Sequence, residues 1–300
     1  MIKEKMGLVE FMERFGTEES CREYMYQMKW PEGFVCPKCK EKDEPFNIKS
    51  HNRYQCRHCN HQTTVTAGTI MEKSRTPLTK WFLAMYLMGQ DKRGCSALRL
   101  KSELGIAYDT AWTMSHKIRK AMGERNAMYL LSGTVDLDDG FFGGAHEGSK
   151  RGRGTDKTTV LVGVSFNDKN KCQYIKAKIV PNVKKETLKT FINENVLPDT
   201  ELRSDAFRSY KGLKKEFPIE ITAYDPNQNP EHLKWLHVIV SNVKRFILGT
   251  YHGLDDTHLQ LYLDEFVFRF NRRYMQGCLF NRIINACVNS SVFTRYDLIG

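Results

Sequence analysis

The spacing of hydrophobic residues divides the 300-residue chain into four stretches of different texture. Residues 5–30 carry apolar side chains at helical intervals. Residues 34–66 lack a helical period and are dense in Cys, Lys, Asn, His and Thr. Residues 77–123 return to a helical pattern, with a Thr-Pro pair as the start signal. From about residue 132 to about 273 strand-like and helical runs alternate, which predicts a separate domain.

That last stretch predicts a mixed sheet with helices packed on its faces. Its strand candidates are rich in Val, Ile, Thr and Tyr or alternate in character. They are Thr134–Asp138, Thr158–Phe166, Gln173–Val180, Thr200–Ser204 and Ile219–Thr222. Helical runs lie between or after them, at Lys184–Asn195, Ala206–Phe217, Glu231–Leu248 and Asp256–Arg272. Three successive strands followed by alternation with helices indicate an α/β fold.

The balance of charge gives a first indication of a partner. Lys and Arg total 46 against 35 Asp and Glu, a net charge of +11. Such a surplus favours nucleic acid, with a merely basic surface as the alternative. No apolar run approaches the roughly 20 residues that span a bilayer, and the charged amino terminus lacks a signal-peptide core. We therefore expect a cytoplasmic protein that does not bind membranes.

Two Cys-x-x-Cys pairs stand 16 residues apart in the stretch without helical period. Two residues between cysteines let both thiolates reach one ion from a tight turn, and two such turns complete a tetrahedral site. The four cysteines are Cys36, Cys39, Cys56 and Cys59. A closed all-thiolate site leaves no position for chemistry. It predicts one structural Zn2+ that holds a small zinc ribbon together.

The helical stretch that follows contains a helix ending near Gly105, a short turn and a second helix. This arrangement is typical of a helix-turn-helix, whose second helix enters the major groove of DNA, although a plain packing hairpin has the same pattern. The polar side chains expected to face DNA are Thr110, Thr113, His116 and Lys117.

Acidic residues mark the first predicted strand of the mixed sheet. Strand alternation places Asp136 and Asp138 on one face and their apolar neighbours on the other. Paired carboxylates of this kind are unfavourable without a cation or solvent. Asp205 directly follows the fourth predicted strand, where open α/β sheets place their sites. An ordinary helix N-cap is the alternative role for Asp205.

Polar residues share one stripe of the helix predicted over Glu231–Leu248. His237, Ser241 and Lys244 follow the spacing i, i+4, i+7. Asn242 lies about 140° from His237 around the helix. If this helix faces the acids of the sheet, His237 and Lys244 can point to them together, whereas Asn242 largely cannot.

A basic, glycine-containing segment connects the first two predicted strands. It can lie along DNA phosphates or form a solvated hairpin connection, and four basic residues in eight favour the phosphates. These residues are Lys150, Arg151, Arg153 and Lys157.

Together these landmarks resemble bacterial insertion-sequence transposases that join an amino-terminal zinc ribbon to a DDE-type core. The resemblance rests on CPKC and CRHC, VDLDDGFFGG with KRGRGTDK, LRSDAFRSY, VIVSNVKRFILGTYHG and HLQLYLDEFVFRFNRR. These segments follow the family's order over nearly the whole chain. GTYHG and YLDEFVFRFNRR are especially telling, because no general physical rule demands them.

The resemblance implies an RNase H-like core that holds two catalytic Mg2+ or Mn2+ ions between acidic residues. The family's first catalytic aspartate corresponds to Asp138 and its second to Asp205. The third member, Glu in many relatives, stands seven residues before the Lys of a Lys-Arg pair. Counting back from Lys244 reaches His237, so this chain departs from the carboxylate form.

Three further assignments go with this resemblance. Asn242 is the alternative third ligand, because hard Mg2+ prefers oxygen to nitrogen. Asp136 is either an auxiliary ligand or a surface acid. Arg245, the second residue of the Lys-Arg pair, is expected to contact DNA.

The implied reaction is cleavage of transposon ends and transfer of their 3′ ends into target DNA, after the ribbon and the helix-turn-helix bind the terminal inverted repeats. The partner is then double-stranded DNA, and a homodimer or larger assembly joins two ends on the bacterial nucleoid. Alternatives are a catalytically silent, transposase-derived DNA-binding protein and an RNase H-like repair nuclease. The expected divisions are a helical lead-in (1–33), zinc ribbon (34–70), helix-turn-helix (75–125), RNase H-like core (130–275) and C-terminal tail (276–300).

Overall fold

The computed structural model describes residues 6–143, 157–223, 225, 227–229, 231–251, 254 and 256–299. The chain forms two compact units, one of Met1–Glu124 with Tyr274–Gly300 and one of Arg125–Arg273. The second unit corresponds to the predicted core. The first combines the predicted lead-in, ribbon, helix-turn-helix and C-terminal segment in one body.

The elements are numbered in chain order. The helices are α1 (Leu8–Phe15), α2 (Glu18–Lys29), α3 (Leu78–Gln90), α4 (Ala97–Leu104), α5 (Tyr108–Ala127), α6 (Lys185–Asn195), α7 (Arg208–Lys211), α8 (Lys234–Thr250), α9 (Leu259–Phe270), α10 (Leu279–Asn289) and α11 (Tyr296–Ile299). The strands are β1 (Phe46–Ile48), β2 (Arg53–Gln55), β3 (Gln62–Thr63), β4 (Thr134–Phe142), β5 (Thr158–Phe166), β6 (Cys172–Ile179), β7 (Glu201–Ser204) and β8 (Ile219–Ile221). Short 3-10 turns occupy Lys49–His51, Asp256–His258 and Gln276–Cys278.

An aromatic cluster forms part of the core of the first unit. Phe280 of α10 lies 5.4 Å from Phe11, 5.3 Å from Phe15 and 5.9 Å from Phe82, measured between ring centroids. The segment predicted to be a tail therefore contributes a buried helix to this core. Its apolar residues recur at helical spacing, so the signal for a helix is present in the sequence.

The predicted pair of helices joined by a short turn is present in the first unit. Ser96 caps the start of α4 by accepting a hydrogen bond from the Arg99 amide at 3.2 Å. Gly105 ends α4 in the left-handed conformation at φ 56°, which a residue without Cβ adopts at little cost. Helix α5 begins three residues later, at Tyr108.

The second unit contains a five-stranded sheet in the order β6-β5-β4-β7-β8. The first three strands along the chain pair antiparallel, whereas β7 runs parallel to both β4 and β8. This is the RNase H-like mixed sheet that the resemblance predicts. Strand β4 is longer than predicted, because it pairs with β5 over its full length from Thr134 to Phe142.

Helices cover both faces of this sheet. Leu137, Leu161 and Phe191 belong to the core on the α6 side. Val162, Val164 and the inner residues of α8 and α9 form the core on the other side. The helix predicted over Ala206–Phe217 is reduced to the single turn α7, because Gly212 ends it and the following Phe-Pro pair disfavours helix. No helix in the described ranges has the length and apolar character to cross a bilayer.

Candidate functional site

Asp138 lies on β4, and Asp205 directly follows the neighbouring parallel strand β7. Asp136 pairs with Arg203 and Leu137 with Ser204 in the β4–β7 register, so Asp138 and Asp205 are the next residues after two paired rows on strands about 4.8 Å apart. The Ser204 hydroxyl donates to the Leu137 carbonyl at 2.9 Å, which fixes this register immediately before the two acids. Strand alternation directs Asp138 to the α8 face of the sheet, and Asp205 interacts electrostatically with His237 of α8.

Each aspartate also accepts a local hydrogen bond. Asp138 Oδ1 accepts from the Asp139 amide at 2.8 Å. Asp205 Oδ1 accepts from the Phe207 amide at 3.1 Å, next to the first turn of α7. This bond is a local turn and not a helix cap, because Phe207 is the N-cap residue of α7 and the helix has no side-chain cap, so the capping role considered for Asp205 is wrong. One hydrogen bond to Oδ1 leaves further lone pairs on a carboxylate, so it does not exclude metal binding.

Asp136 forms a buried ion pair that the sequence analysis did not identify. Its Oδ1 lies 2.7 Å from Nε of Arg203 on the adjacent strand. Burial raises the pKa of Asp136, and the Arg203 guanidinium opposes this shift. The surface role considered for Asp136 is wrong, because only 3% of its side chain is exposed. The missed signal is that Arg203 stands two residues before Asp205 and so shares its face of the strand.

Helix α8 lies over these acids. A Cβ on Gly140 would come within 3.3 Å of Val240 Cγ1, so the helix approaches β4 closely at that glycine. His237 interacts electrostatically with Asp136 and Asp205, which raise its pKa, but desolvation dominates and lowers it. A second histidine, His232, contributes to this field, and its buried Nε2 forms no hydrogen bond with a described residue.

Two lysines meet at the far end of β4. Lys244 Nζ lies 5.4 Å from the centroid of the Phe142 ring. Burial lowers the pKa of Lys244, and the positive charge of Lys157 lowers it further. Lys150, Arg151 and Arg153 of the same predicted basic segment lie outside the described residues.

Asn242 and Arg245 are exposed on α8. The direction of Asn242, about 140° from His237, keeps it away from the stripe that faces the acids. The structure thus brings Asp138, Asp205 and His237 to one region, and Lys244 to the neighbouring end of β4.

The donor chemistry of this region fits hard divalent cations. Two adjacent carboxylates supply the oxygen ligands that Mg2+ and Mn2+ prefer. The side chains of Asp138, Asp205 and His237 do not form a compact set of metal ligands. Among the described residues only the four zinc-ribbon cysteines bring at least three ligand atoms within 4.8 Å of one another. Asp138, Asp205 and His237 would therefore still have to converge on a bound ion.

The four cysteines have the geometry of a tetrahedral metal centre. Cys36 Sγ lies 3.6 Å from Cys59 Sγ, and Cys39 Sγ lies 3.6 Å from Cys56 Sγ. Zn–S bonds of about 2.3 Å in a tetrahedron place sulfur atoms about 3.8 Å apart, so the quartet fits zinc. The two turns are equivalent, because the residue after each second cysteine has positive φ and its amide donates to the carbonyl of the first cysteine.

The helix-turn-helix residues divide into two groups. Thr110 and Thr113 are partly exposed near the start of α5. His116 is fully buried, stacks on Trp112 at 3.9 Å and bonds the Trp112 carbonyl through Nδ1 at 2.8 Å. The prediction that His116 contacts DNA is therefore wrong. Lys117 is half-buried and donates to the Ile70 carbonyl at 3.2 Å, so its ammonium is already engaged within the fold.

Comparison with known families gives two matches along the chain. Residues 130–271 match the ISXO2-like transposase domain, and residues 16–62 match the transposase zinc-ribbon domain. The chain is 23% identical over 277 residues to an uncharacterized protein in transposable element ISH50 of Halobacterium salinarum, covering 85% of this chain and 91% of that protein. It is 33% identical over 97 residues to an uncharacterized transposase-like protein of Haemophilus influenzae, covering 31% of this chain and 77% of that protein.

Solved structures give weaker similarities. A chain of the simian T-cell lymphotropic virus intasome in complex with the PP2A regulatory subunit B56 gamma shows 13% identity and a TM-score of 0.30. The match covers 61% of this chain and 64% of that chain, slightly under two thirds of its length. A chain of the Mos1 strand transfer complex shows 14% identity and a TM-score of 0.28, covering 71% and 78%.

Proposed function

Since the chain belongs to the insertion-sequence transposases with an ISXO2-like domain and a zinc ribbon, we propose that it cleaves the ends of its element and transfers them into target DNA in a metal-dependent reaction. The observation that carries this proposal is the placement of Asp138 beside Asp205, with His237 of α8 within electrostatic reach. Only residues of different elements can surround a phosphodiester and its activating ions from several sides.

Asp138 and Asp205 would hold two divalent ions, and His237 would complete the set. Such ions activate a water or a 3′-hydroxyl and stabilise the departing oxygen of an in-line displacement. The lowered pKa of His237 favours the neutral imidazole, whose nitrogen lone pair is available to bind. Asn242 remains the alternative third ligand, although it points away from the acids.

Lys244 and Lys157 would bind the DNA backbone beside the acids. Their positive charges repel each other, and this repulsion adds to the effect of burial in lowering the pKa of Lys244. A phosphate between the two ammonium groups would relieve this repulsion and hold the strand as it enters the site. Arg245 and the basic segment with Lys150, Arg151 and Arg153 would extend the contact along the duplex.

The first unit would recognise the terminal inverted repeats. Its zinc ribbon, held by one Zn2+ on the cysteine quartet, and Thr110 and Thr113 at the start of α5 would contact the duplex. Bringing two ends together requires a homodimer or a larger assembly on DNA. The protein would act in the cytoplasm, on the nucleoid when bound to DNA.

Cleavage of a duplex that carries the inverted repeat bordering the gene tests this proposal. With Mg2+ or Mn2+ the full-length protein should nick the end, and Asp138→Ala and Asp205→Ala should each reduce the rate by at least about 100-fold. Asp139→Ala is the matched control, because this acid stands next to Asp138 but faces the other side of the sheet. Binding without cleavage in either metal would indicate the catalytically silent DNA-binding protein instead.

The third position is tested by a second pair of variants. His237→Ala should abolish cleavage, and Asn242→Ala should leave the rate within about threefold of wild type. The opposite result would assign the third ligand to Asn242. Both variants should retain the wild-type unfolding temperature, since both side chains are exposed on α8.

A further inference from the structure

Four charged residues form two rows across β4 and β7. Asp136 and Arg203 form one row, and Asp138 and Asp205 form the next. Residues two positions apart on a strand are about 6.6 Å apart and project to the same face. Arg203 therefore projects from the face of the proposed catalytic acids, one repeat of the pleat before Asp205, and its guanidinium lies on the side away from the acids, over the Phe166 ring.

Arg203 uses only part of its hydrogen-bonding capacity. Its Nε donates to Asp136 at 2.7 Å, and this is its only hydrogen bond to a described residue. Guanidinium carries five N–H donors, of which four belong to the two Nη atoms. The side chain is 31% exposed, so part of this donor set reaches the surface.

Two contacts hold the guanidinium in place. The Asp136 carboxylate fixes its Nε edge, and the Phe166 ring centroid lies 5.1 Å from Cζ. A planar fork that is already oriented loses less conformational freedom when it binds a phosphate than a free arginine would. The ion pair also gives a reason for placing a carboxylate in the buried position 136, where an unpaired charge would be costly.

The neighbouring acids leave a role for such a group. In the proposed reaction Asp138 and Asp205 are occupied by divalent ions, which contact the phosphate being cleaved. Arg203 can donate to another phosphate of the same strand without competing for the ligand atoms of the acids. Because Arg203 is committed to Asp136 through Nε only, its Nη groups can serve the substrate while the ion pair stays intact.

We propose that Arg203 binds a backbone phosphate of the DNA strand that enters the Asp138–Asp205 site, and that Asp136 is the positioning residue that holds it. This inference rests on the proposed function, because it takes DNA as the substrate at this face. The alternative is that Arg203 does no more than neutralise Asp136 inside the fold.

A thermodynamic cycle that combines changes in the protein with changes of single DNA phosphates distinguishes a phosphate-binding role of Arg203 from a purely structural one. Full-length protein is titrated with end-containing duplexes in which single phosphates near the cleavage position are replaced by uncharged methylphosphonates, in Ca2+ so that binding is measured without cleavage. In wild type, one replacement should weaken binding about tenfold. In Arg203→Gln the unmodified duplex should bind about tenfold more weakly, and the same replacement should cost nothing further.

Two more variants show whether a change in DNA affinity comes from the lost phosphate contact or from destabilisation of the fold. Asp136→Asn/Arg203→Gln removes both partners and so leaves no unpaired buried charge. It should keep the wild-type unfolding temperature and behave like Arg203→Gln in the cycle. Arg208→Gln removes one exposed charge from α7 in the same unit and should show the full wild-type coupling.

The outcomes are distinct. The inference is overturned if, at every phosphate, the affinity lost on replacing that phosphate adds to the affinity lost in Arg203→Gln and in the double variant. It is also overturned if Arg208→Gln loses as much coupling to the same phosphate as Arg203→Gln does. Normal cleavage by wild type together with such additivity would refute the role of Arg203 and leave the proposed function standing. Coupling at one phosphate in a protein that never cleaves would support Arg203 as a DNA contact and refute the proposed reaction.

Discussion

The outer edge of the five-stranded sheet gives a sharp prediction, because two side chains cover its backbone groups. Strand β6 lies at one end of the sheet, and its alternate residues direct their backbone groups outward. The Asn271 amide group accepts from the Ile175 N–H at 2.8 Å and donates to the Ile175 carbonyl at 3.0 Å. Gln260 accepts from the Ile179 N–H at 2.9 Å and donates to the Ala177 carbonyl at 3.2 Å.

Asn271→Leu removes one of these two amide clamps with little change of volume. Ile175 is fully buried, so the substitution leaves its N–H and C=O without partners in a dry environment. Each unsatisfied group costs about 1–3 kcal/mol, so we expect the second unit to lose about 2–5 kcal/mol of stability. The released edge should also template pairing between molecules and promote aggregation.

Hydrogen exchange followed by mass spectrometry measures this effect on β6 itself. The peptide that contains Ile175 should exchange faster in Asn271→Leu by a factor that corresponds to the lost stability. Asn289→Leu is the matched control, because Asn289 donates only to the Asn285 carbonyl of its own helix on an exposed surface. Exchange in β6 that matches wild type, with a stability change below about 0.5 kcal/mol, would refute the clamp.

Three further predictions concern other parts of the chain. Removing zinc by chelation, or by Cys56→Ser, should unfold residues 34–66 and leave the sheet of the second unit protected from exchange, and elemental analysis should find about one zinc per folded chain. Burial lowers the pKa of Lys176 to about 8, below its unfolded value, so the folded chain binds fewer protons between about pH 8 and 10.5. The contribution of Lys176 to stability should therefore rise with pH across that window, and Lys176→Met should lower the slope of stability against pH in denaturation curves measured at each pH. Substituting His116 by Ala should lower stability by about 2–4 kcal/mol and leave the salt dependence of DNA binding unchanged, whereas a smaller salt slope would restore it as a DNA contact.

Strand pattern predicted the second unit well because period-two alternation depends on the local sequence. The predicted Thr158–Phe166 coincides with β5, and the other strands differ by a few residues at their ends. The extent of β4 was underestimated, since Asp138, Asp139 and Gly140 have low strand propensity and pairing with β5 overrides it. Propensity likewise overestimated the helix after Asp205, where a glycine limits it to one turn.

Side-chain partners across long separations were the part that could not be read from the pattern. Strand alternation alone placed Asp136 and Asp138 on one face, but the partner of Asp136 depends on the β4–β7 register, which joins residues 67 positions apart. The prediction that His116 contacts DNA was wrong for a similar reason. Helical spacing shows which residues share a face, yet α5 is buried on most of its circumference, so a polar face is not an exposed one.

The HLQLYLDEFVFRFNRR segment now has a physical explanation that the sequence did not offer. Gln260 and Asn271 stand near its two ends and close the β6 edge, and Arg273, its last residue, donates to the Gln173 carbonyl at 2.8 Å. Between them Glu265 is fully buried and pairs with Arg269 at 3.1 Å. Polar residues of this segment therefore form hydrogen bonds to the sheet or within the fold.

The geometry also gives a reason why a histidine can stand where many relatives are expected to have an acid. The two aspartates project from adjacent strands about 4.8 Å apart, so only short side chains on a fixed register can converge there. The third group projects from α8, which a Gly140–Val240 contact holds close to β4 but whose residues must reach across to the sheet. If His237 is the third ligand, as we propose, its direction on α8 selects it over Asn242, and a side chain at that position can supply either oxygen or nitrogen without changing this requirement.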